Sequence, residues 1–317
     1  MPRFERLRSI IKLTRLTGAF GAVAGVWFVT LWTHAVEDPA LTRVDLAADL
    51  AGATLVALGL YAFAAGLNDL VDVRRDRAAG RERPVAQGRL SAETGLVLTT
   101  LTLLAALAGA ATLGLVSVYV AIAVAAAIVV FNALVKTIPA ARLTLLAAIY
   151  AAHMLIPNVA LDFLWPVWLA MTHALATAAA VAWISRRAPR LSPRAAVSAA
   201  VGWLLATFFL ARLSISRNGS LWPETADPAA LWFVVLAVVA FASYVVWKAR
   251  GDRARAAERL DRYASLWHAV YATAWLFGQG ERAAAWIMAG FAAAGFVATG
   301  VVRELYSIAD QPITYRS

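Results

Sequence analysis

Apolar residues run along this chain in blocks of roughly 17 to 23, the length at which a helix crosses a bilayer core. Short polar stretches rich in arginine separate them. The pattern predicts spans at about 14–36, 47–67, 92–114, 116–135, 141–160, 164–185, 195–213, 230–249, 264–279 and 284–302. No linker rich in Pro, Gly or Ser is long enough to divide the chain, so residues 1–317 read as one helical domain. The segment "YASLWHAVYATAWLFGQG" (263–280) is short and aromatic. It fits either a crossing or a helix lying in the membrane interface.

Composition agrees with the blocks. Of 317 residues 62% are hydrophobic and only 15% are charged, where a soluble domain carries about a quarter charged residues. The expected class is therefore all-α: a polytopic transmembrane bundle of about nine to ten helices. The first apolar run lacks a small-residue cleavage pattern and reads as a retained helix.

The net charge of +10 is explained by sidedness. With the N-terminus in the cytoplasm, the inner loops hold Arg74, Arg75, Arg77, Arg81, Arg83, Arg89, Lys136 and Arg142. Further inner basic residues are Arg186, Arg187, Arg190 and Arg194, then the stretch from Lys248 to Arg262. The outer loops carry Glu37, Asp38, Asp45, Asp162, Glu224 and Asp227, with few cations. That bias fixes the orientation of a multi-pass protein, expected in the cell inner (plasma) membrane with its N-terminus cytoplasmic, and it accounts for the basic surplus without a nucleic-acid partner. There are no cysteines, which excludes disulfides, thiolate metal sites and Cys nucleophiles. Ser–His–Asp sets, P-loops, GxGxxG motifs and zinc or di-iron spacings are likewise missing from the sequence. "NGS" at 218–220 is formally a glycosylation acceptor, and little weight rests on it.

The stretch "GLNDLVDVRRDRAAGRERPVAQGRLS" (66–91) departs from this pattern. If the helix continues past Asp72, then Asn68, Asp72 and Asp76 fall four residues apart and form one polar stripe, with Asp69 beside it. Oxygen-bearing side chains on one face gain from a shared hard cation, and Mg²⁺ suits one or two carboxylates completed by substrate phosphates. The arginines that follow supply forked donors for phosphate oxygens. The plainer reading is a set of interfacial charges neutralising one another at a helix end. Acidic groups at the edge of an apolar span need a partner in either case.

With "NDLVDVRRD", then Arg83-Pro84, Gly88 and Ser91, the chain resembles the UbiA superfamily of intramembrane prenyltransferases. The resemblance implies a bundle of about nine helices around a central cavity. It also implies a Mg²⁺-bound prenyl diphosphate and transfer of the prenyl group to a small acceptor, often aromatic. It places Asn68, Asp72 and Asp76 at the metal–diphosphate site, Asp69 nearby, and Arg83 against phosphate. The family's Tyr-x-x-x-Lys element corresponds to "FNALVK", so Lys136 is implied as a phosphate contact, and Asn132 stands in place of the tyrosine.

A second acidic motif, usual in the family after the sixth span, is missing. That region reads "ATAAAVAWISRRAPRLSPR", with Arg186, Arg187 and Arg190 instead. These arginines could bind diphosphate in place of a second metal position. They could instead mark a site adapted to another phosphorylated lipid, or only enforce topology. A membrane terpene cyclase and a lipid-phosphate binding or transport component stay open beside the transferase. His153, Asn158, Thr172, His173 and His268 lie in or near spans and could line a cavity or act as a base. A membrane histidine is more often a hydrogen-bond partner between helices. The 12 tryptophans and 8 tyrosines are expected mainly at the interfaces, some of them facing the cavity.

Overall fold

A computed structural model describes residues 9, 13, 19–37, 45–185, 191–249 and 253–310, and its secondary structure there is helical throughout. Helix α1 (Phe20–Trp32) continues into a wide π turn, Thr33–Glu37. It is followed by α2 (Leu46–Val71), the short α3 (Val73–Ala78) and α4 (Ala92–Leu113). Helix α5 (Leu115–Val130) ends in a second π turn, Phe131–Val135. Then come α6 (Pro139–Met154), α7 (Trp165–Ser185), α8 (Pro193–Asn218) and α9 (Ala230–Ala249). Helices α10 (Arg253–Ala264), α11 (Trp267–Gly278) and α12 (Arg282–Asp310) complete the described chain.

Seven of these are long and apolar enough to cross a membrane: α2, α4, α5 with its π turn, α7, α8, α9 through Trp247, and α12 through Val301. The protein is a multi-pass membrane protein. Many large apolar side chains on these helices face outward, among them Leu101, Leu104, Phe208, Phe209, Trp232 and Leu236. Such a surface is suited to lipid and not to water.

The expected spans at 14–36, 141–160 and 264–279 correspond to shorter helices. Helix α6 begins with Pro139 in its first turn, and its chain leaves helical geometry before Pro157, which cannot continue it. At 12 residues, α11 is about 18 Å long, well short of a bilayer core. Nor does it lie on the interface. His268, Ala269, Tyr271, Ala272, Trp275 and Leu276 are buried, packed among α1, α9 and α12.

Local signals set the helix starts. The Asp45 carboxylate accepts the Ala47 amide at 3.0 Å and opens α2. Ser91 caps α4 through the Thr94 amide at 3.1 Å, and Ser192 caps α8 ahead of Pro193. Between α4 and α5 the chain reverses at Gly114, whose φ of 120° few L side chains adopt.

The most extensive helix pairing is α2 against α4. Gly52, Gly59 and Gly66 recur every seven residues along α2 and keep to one face. They press against Thr112, Ala106 and Thr99 of α4. A Cβ on Gly59 would lie 2.7 Å from both the Ala106 nitrogen and the Thr102 oxygen. Backbone contact this close is the small-residue packing that joins helices where no hydrophobic driving force acts between them.

One end of the bundle is sealed by aromatic rings. Phe163, in the connection from α6 to α7, stacks on Trp32 at 5.0 Å and meets Trp275 edge-on at 5.0 Å. Because α1 and α2 are joined at this end, the far end of α2, at Val71, lies at the opposite mouth. Substituting Gly59 with Val is expected to force α2 and α4 apart and to cost about 1–3 kcal/mol. The check is a lowered thermal midpoint of the detergent-solubilised protein relative to wild type.

Candidate functional site

At Asp72, between α2 and α3, the backbone departs from ideal helix (φ −92°, ψ 5°). The hydrogen-bond ladder nevertheless continues. The Asp72 amide donates to the Asn68 carbonyl at 3.1 Å and the Asp76 amide to the Asp72 carbonyl at 2.8 Å. Residues 68, 72 and 76 therefore keep helical spacing to the end of α3. Side-chain contacts divide them into two groups.

The first group joins Asn68 and Asp72 to Lys136. The Lys136 ammonium lies 2.9 Å from Asp72 Oδ2 and 3.5 Å from Asn68 Oδ1. The π turn of α5 delivers it: the Lys136 amide donates to the Phe131 carbonyl five residues back, at 2.9 Å. The wider turn carries the lysine onto α2.

The second group joins Asp69 and Asp76, seven residues apart and so on nearly the same helix face. Both are fully buried, at 0% and 1% exposure. Arg83 lies between them, with Nη1 3.8 Å from Asp69 Oδ1 and Nε 4.0 Å from Asp76 Oδ2. Arg81 Nη1 donates to Asp76 Oδ1 at 3.0 Å. The loop that carries these arginines turns at Gly80 and Gly88, both at positive φ. It is held down by the buried Val85, Ala86 and Leu90 and by Arg77 Nε donating to the Ala86 carbonyl at 3.1 Å. Three carboxylates thus face three basic side chains.

Above this cluster opens a cavity of about 260 Å³ between α1, α2, α5 and α6. Asn68, which also contacts Lys136, and Asn132 line it beside the ionic cluster, and Tyr61, Tyr150 and His153 line it as well. Leu60, Ala64, Ile128, Phe131, Leu146 and Ile149 supply its apolar walls. The mouth is ionic and the interior is greasy, an arrangement matched to an amphiphile with a charged head.

The other polar groups weighed in the sequence separate clearly. His173 is bonded through both ring nitrogens, Nδ1 to the Tyr271 hydroxyl at 3.1 Å and Nε2 to the Ala264 carbonyl at 2.9 Å. Trp203 Nε1 donates to the Thr172 hydroxyl at 2.9 Å, and Asn158 Nδ2 to the Thr33 hydroxyl at 3.0 Å. These three join helices and loops. His268 lies behind the cavity wall, its ring 5.5 Å from that of Tyr150. Arg186, Arg187 and Arg190 lie outside the described residues. Arg81, read in the sequence as an inner-loop charge and as one of the arginines that follow the stripe, is in contact with Asp76. Tyr61 was not singled out, although it falls seven residues before Asn68 on the same face of α2.

No family model matches the sequence, and no curated protein matches it. Among solved structures, that of a digeranylgeranylglyceryl phosphate synthase aligns with 87% of this chain and 99% of its own, with a TM-score of 0.56 at 14% identity. The chain has a UbiA-like fold. A UbiA homolog from Archaeoglobus fulgidus, solved with GPP and Mg²⁺ and again with DMAPP and Mg²⁺, aligns with 92% of this chain and 99% of its own. Identity there is 15% and 16%, with a TM-score of 0.47 in both cases. These neighbours are UbiA-family prenyltransferases. At 14% identity the likeness to the synthase establishes a common helical fold, and chemistry has to be argued from the side chains.

Replacing Asp76 with Asn removes the charge that holds Arg81 and attracts Arg83. Tryptic cleavage after Arg81 in the folded, solubilised protein is expected to accelerate about tenfold, the effect of one lost charge-assisted bond. Limited proteolysis followed by mass spectrometry reads it directly.

Proposed function

We propose that the protein is a Mg²⁺-dependent intramembrane prenyltransferase that ionises a prenyl diphosphate and passes the prenyl group to a small acceptor. The observation that carries this reading is the charge-balanced cluster of Asp69, Asp72, Asp76, Lys136, Arg81 and Arg83 at the mouth of an apolar cavity. A diphosphate arriving at a balanced cluster brings excess negative charge, and a divalent cation carried with it offsets most of that excess.

The donor set fits Mg²⁺. Among the described residues no three His, Asp or Glu side chains form a metal cage, and Mg²⁺ does not require one. One or two carboxylates with substrate phosphates and water complete its shell. Asp72 and Asp76 would supply the carboxylates and Asn68 a neutral oxygen. When bound, the ion neutralises charge developing on the leaving diphosphate.

The chain's own groups do the remainder. Lys136 and Arg83 exchange their carboxylate partners for phosphate oxygens and hold the diphosphate against Asn68. Arg186 and Arg187, which follow α7, would add further guanidinium donors. The carbon–oxygen bond to the prenyl group breaks, its electron pair leaves with diphosphate, and an allylic cation remains in the cavity. Leu60, Ile128, Leu146 and Ile149 exclude the water that would capture it. An acceptor carbon then forms the new bond and loses a proton. The arginine bias of the loops around the site supports reading this mouth as cytoplasmic.

The test uses purified protein in lipid nanodiscs, with C10 to C20 prenyl diphosphates, following diphosphate release and product mass. Release is expected to require Mg²⁺ and to stop on chelation. Asp72→Asn and Lys136→Met are each expected to slow it about a hundredfold, as loss of one charge-stabilising group does in other enzymes. Undiminished release by folded Asp72→Asn protein would sink the proposal. A terpene product formed with no acceptor present would identify a cyclase.

A further inference from the structure

The cavity beside the ionic cluster has a definite depth. Along α2 its lining runs from Asn68, which touches Lys136, to Leu60. That stretch of helix rises about 12 Å. On α6 the lining runs from Leu146 to His153, a rise of about 10 Å.

Past that depth the bundle is packed. Helices α2 and α5 run toward the ionic cluster, whereas α1 ends at the aromatic seal and α6 starts just after Lys136. Moving away from the cluster, Val56 lies one turn beyond Leu60 on α2, and Val124 one turn beyond Ile128 on α5. Val26 lies one turn beyond Ala22 on α1, and Ile156 follows His153 just past the end of α6. Val26 and Val56 are 0% exposed, Val124 and Ile156 1%, and none of the four lines the cavity. Val56, Val124 and Ile156 share one buried cluster with Leu60 and Ile128 of the cavity wall. Val26 is in a second cluster, with Ala53 and Ala57 of α2. Each of the four elements that enclose the cavity therefore closes within about a turn of its last lining residue.

An extended carbon chain advances about 1.2 Å per bond. From the carbon that bears diphosphate, a geranyl chain then reaches about 8 Å and a geranylgeranyl chain about 18 Å. The first fits the depth along α2. The second exceeds it by about half, and lodging it would displace packed side chains, which is unfavourable.

We propose that Val26, Val56, Val124 and Ile156 form the floor of a length-limited donor site. The site takes a prenyl diphosphate of two isoprene units and discriminates against one of four. This assignment rests on the prenyl-donor reading of the cavity, and the binding it describes is measured without turnover.

The probes are geranyl and geranylgeranyl thiolodiphosphate, in which sulfur replaces the bridging oxygen and slows ionisation. Their binding with Mg²⁺ to the full-length protein in nanodiscs is followed by calorimetry, with inorganic pyrophosphate reporting the head-group site. Both tails partition into lipid, so affinities are compared at equal mole fraction in the nanodisc. The geranyl probe is expected to bind wild-type protein at least about tenfold more tightly, although burial of extra carbons alone favours the longer tail. Ile156→Ala, which lowers the floor, is expected to raise geranylgeranyl affinity about tenfold relative to geranyl, with pyrophosphate affinity unchanged.

Equal or tighter binding of geranylgeranyl by wild-type protein overturns the inference, and that comparison does not depend on a variant folding. Failure of the geranyl probe to bind overturns it too, as does an unchanged ratio of the two affinities in folded Ile156→Ala. Geranyl-selective binding that relaxes in Ile156→Ala, in a protein that releases no diphosphate from geranyl diphosphate, leaves the length limit standing and removes the transfer reading.

Discussion

Three carboxylates at the end of an apolar helix must be neutralised, and much of the structure around the site answers that requirement. Asp69 and Asp76 are buried, so each is strongly unfavourable unless a cation lies close. Arg81 and Arg83 come from the loop that follows α3, and Lys136 comes from a separate helix. Holding that lysine on Asp72 requires the π turn of α5, and holding the arginines requires a loop fastened by its own small apolar cluster of Val85 and Leu90. The same pairs prepare the site. A cation already poised on a carboxylate can transfer to a phosphate oxygen without crossing a long distance or leaving a bare charge behind.

The scaffold makes this cluster a mouth. Glycines on one face of α2 bring it against α4 at backbone distance, so the helix that carries Asn68 and Asp69 has little freedom to shift. At the other end Trp32, Phe163 and Trp275 close the bundle. The cavity between them shares Asn68 with the ionic cluster. An amphiphile with a charged head is accommodated in one orientation, head at the carboxylates and carbon skeleton inside.

Much of this was legible along the chain. Apolar block lengths gave the membrane class, and the four-residue spacing of Asn68, Asp72 and Asp76 placed them on one helical run, which the continuing backbone ladder reproduces. The division of labour was not legible. Asp69 pairs with the same arginine as Asp76, and Asn68 and Asp72 share Lys136, because helix faces and loop closure determine partners. Span counting was also too simple for α6 and α11. Burial by neighbouring protein makes a short apolar helix resemble a crossing one when only hydropathy is read, as the enclosed 267–278 segment shows.

What the sequence by itself determined is whatever depends on local spacing and composition: membrane residence, helix starts at Asp45, Ser91 and Ser192, the glycine-marked turns, and the acidic stripe with its trailing arginines. Those features follow from chemistry acting within a few residues. Only the tertiary structure decided which cation meets which carboxylate, which glycines form a seam, and which groups each membrane histidine packs against. His153 and His173 lie twenty residues apart in similarly apolar sequence. One is bonded through both nitrogens and the other has a nitrogen left over. The difference arises from groups far away in the chain that packing brings to one and not to the other.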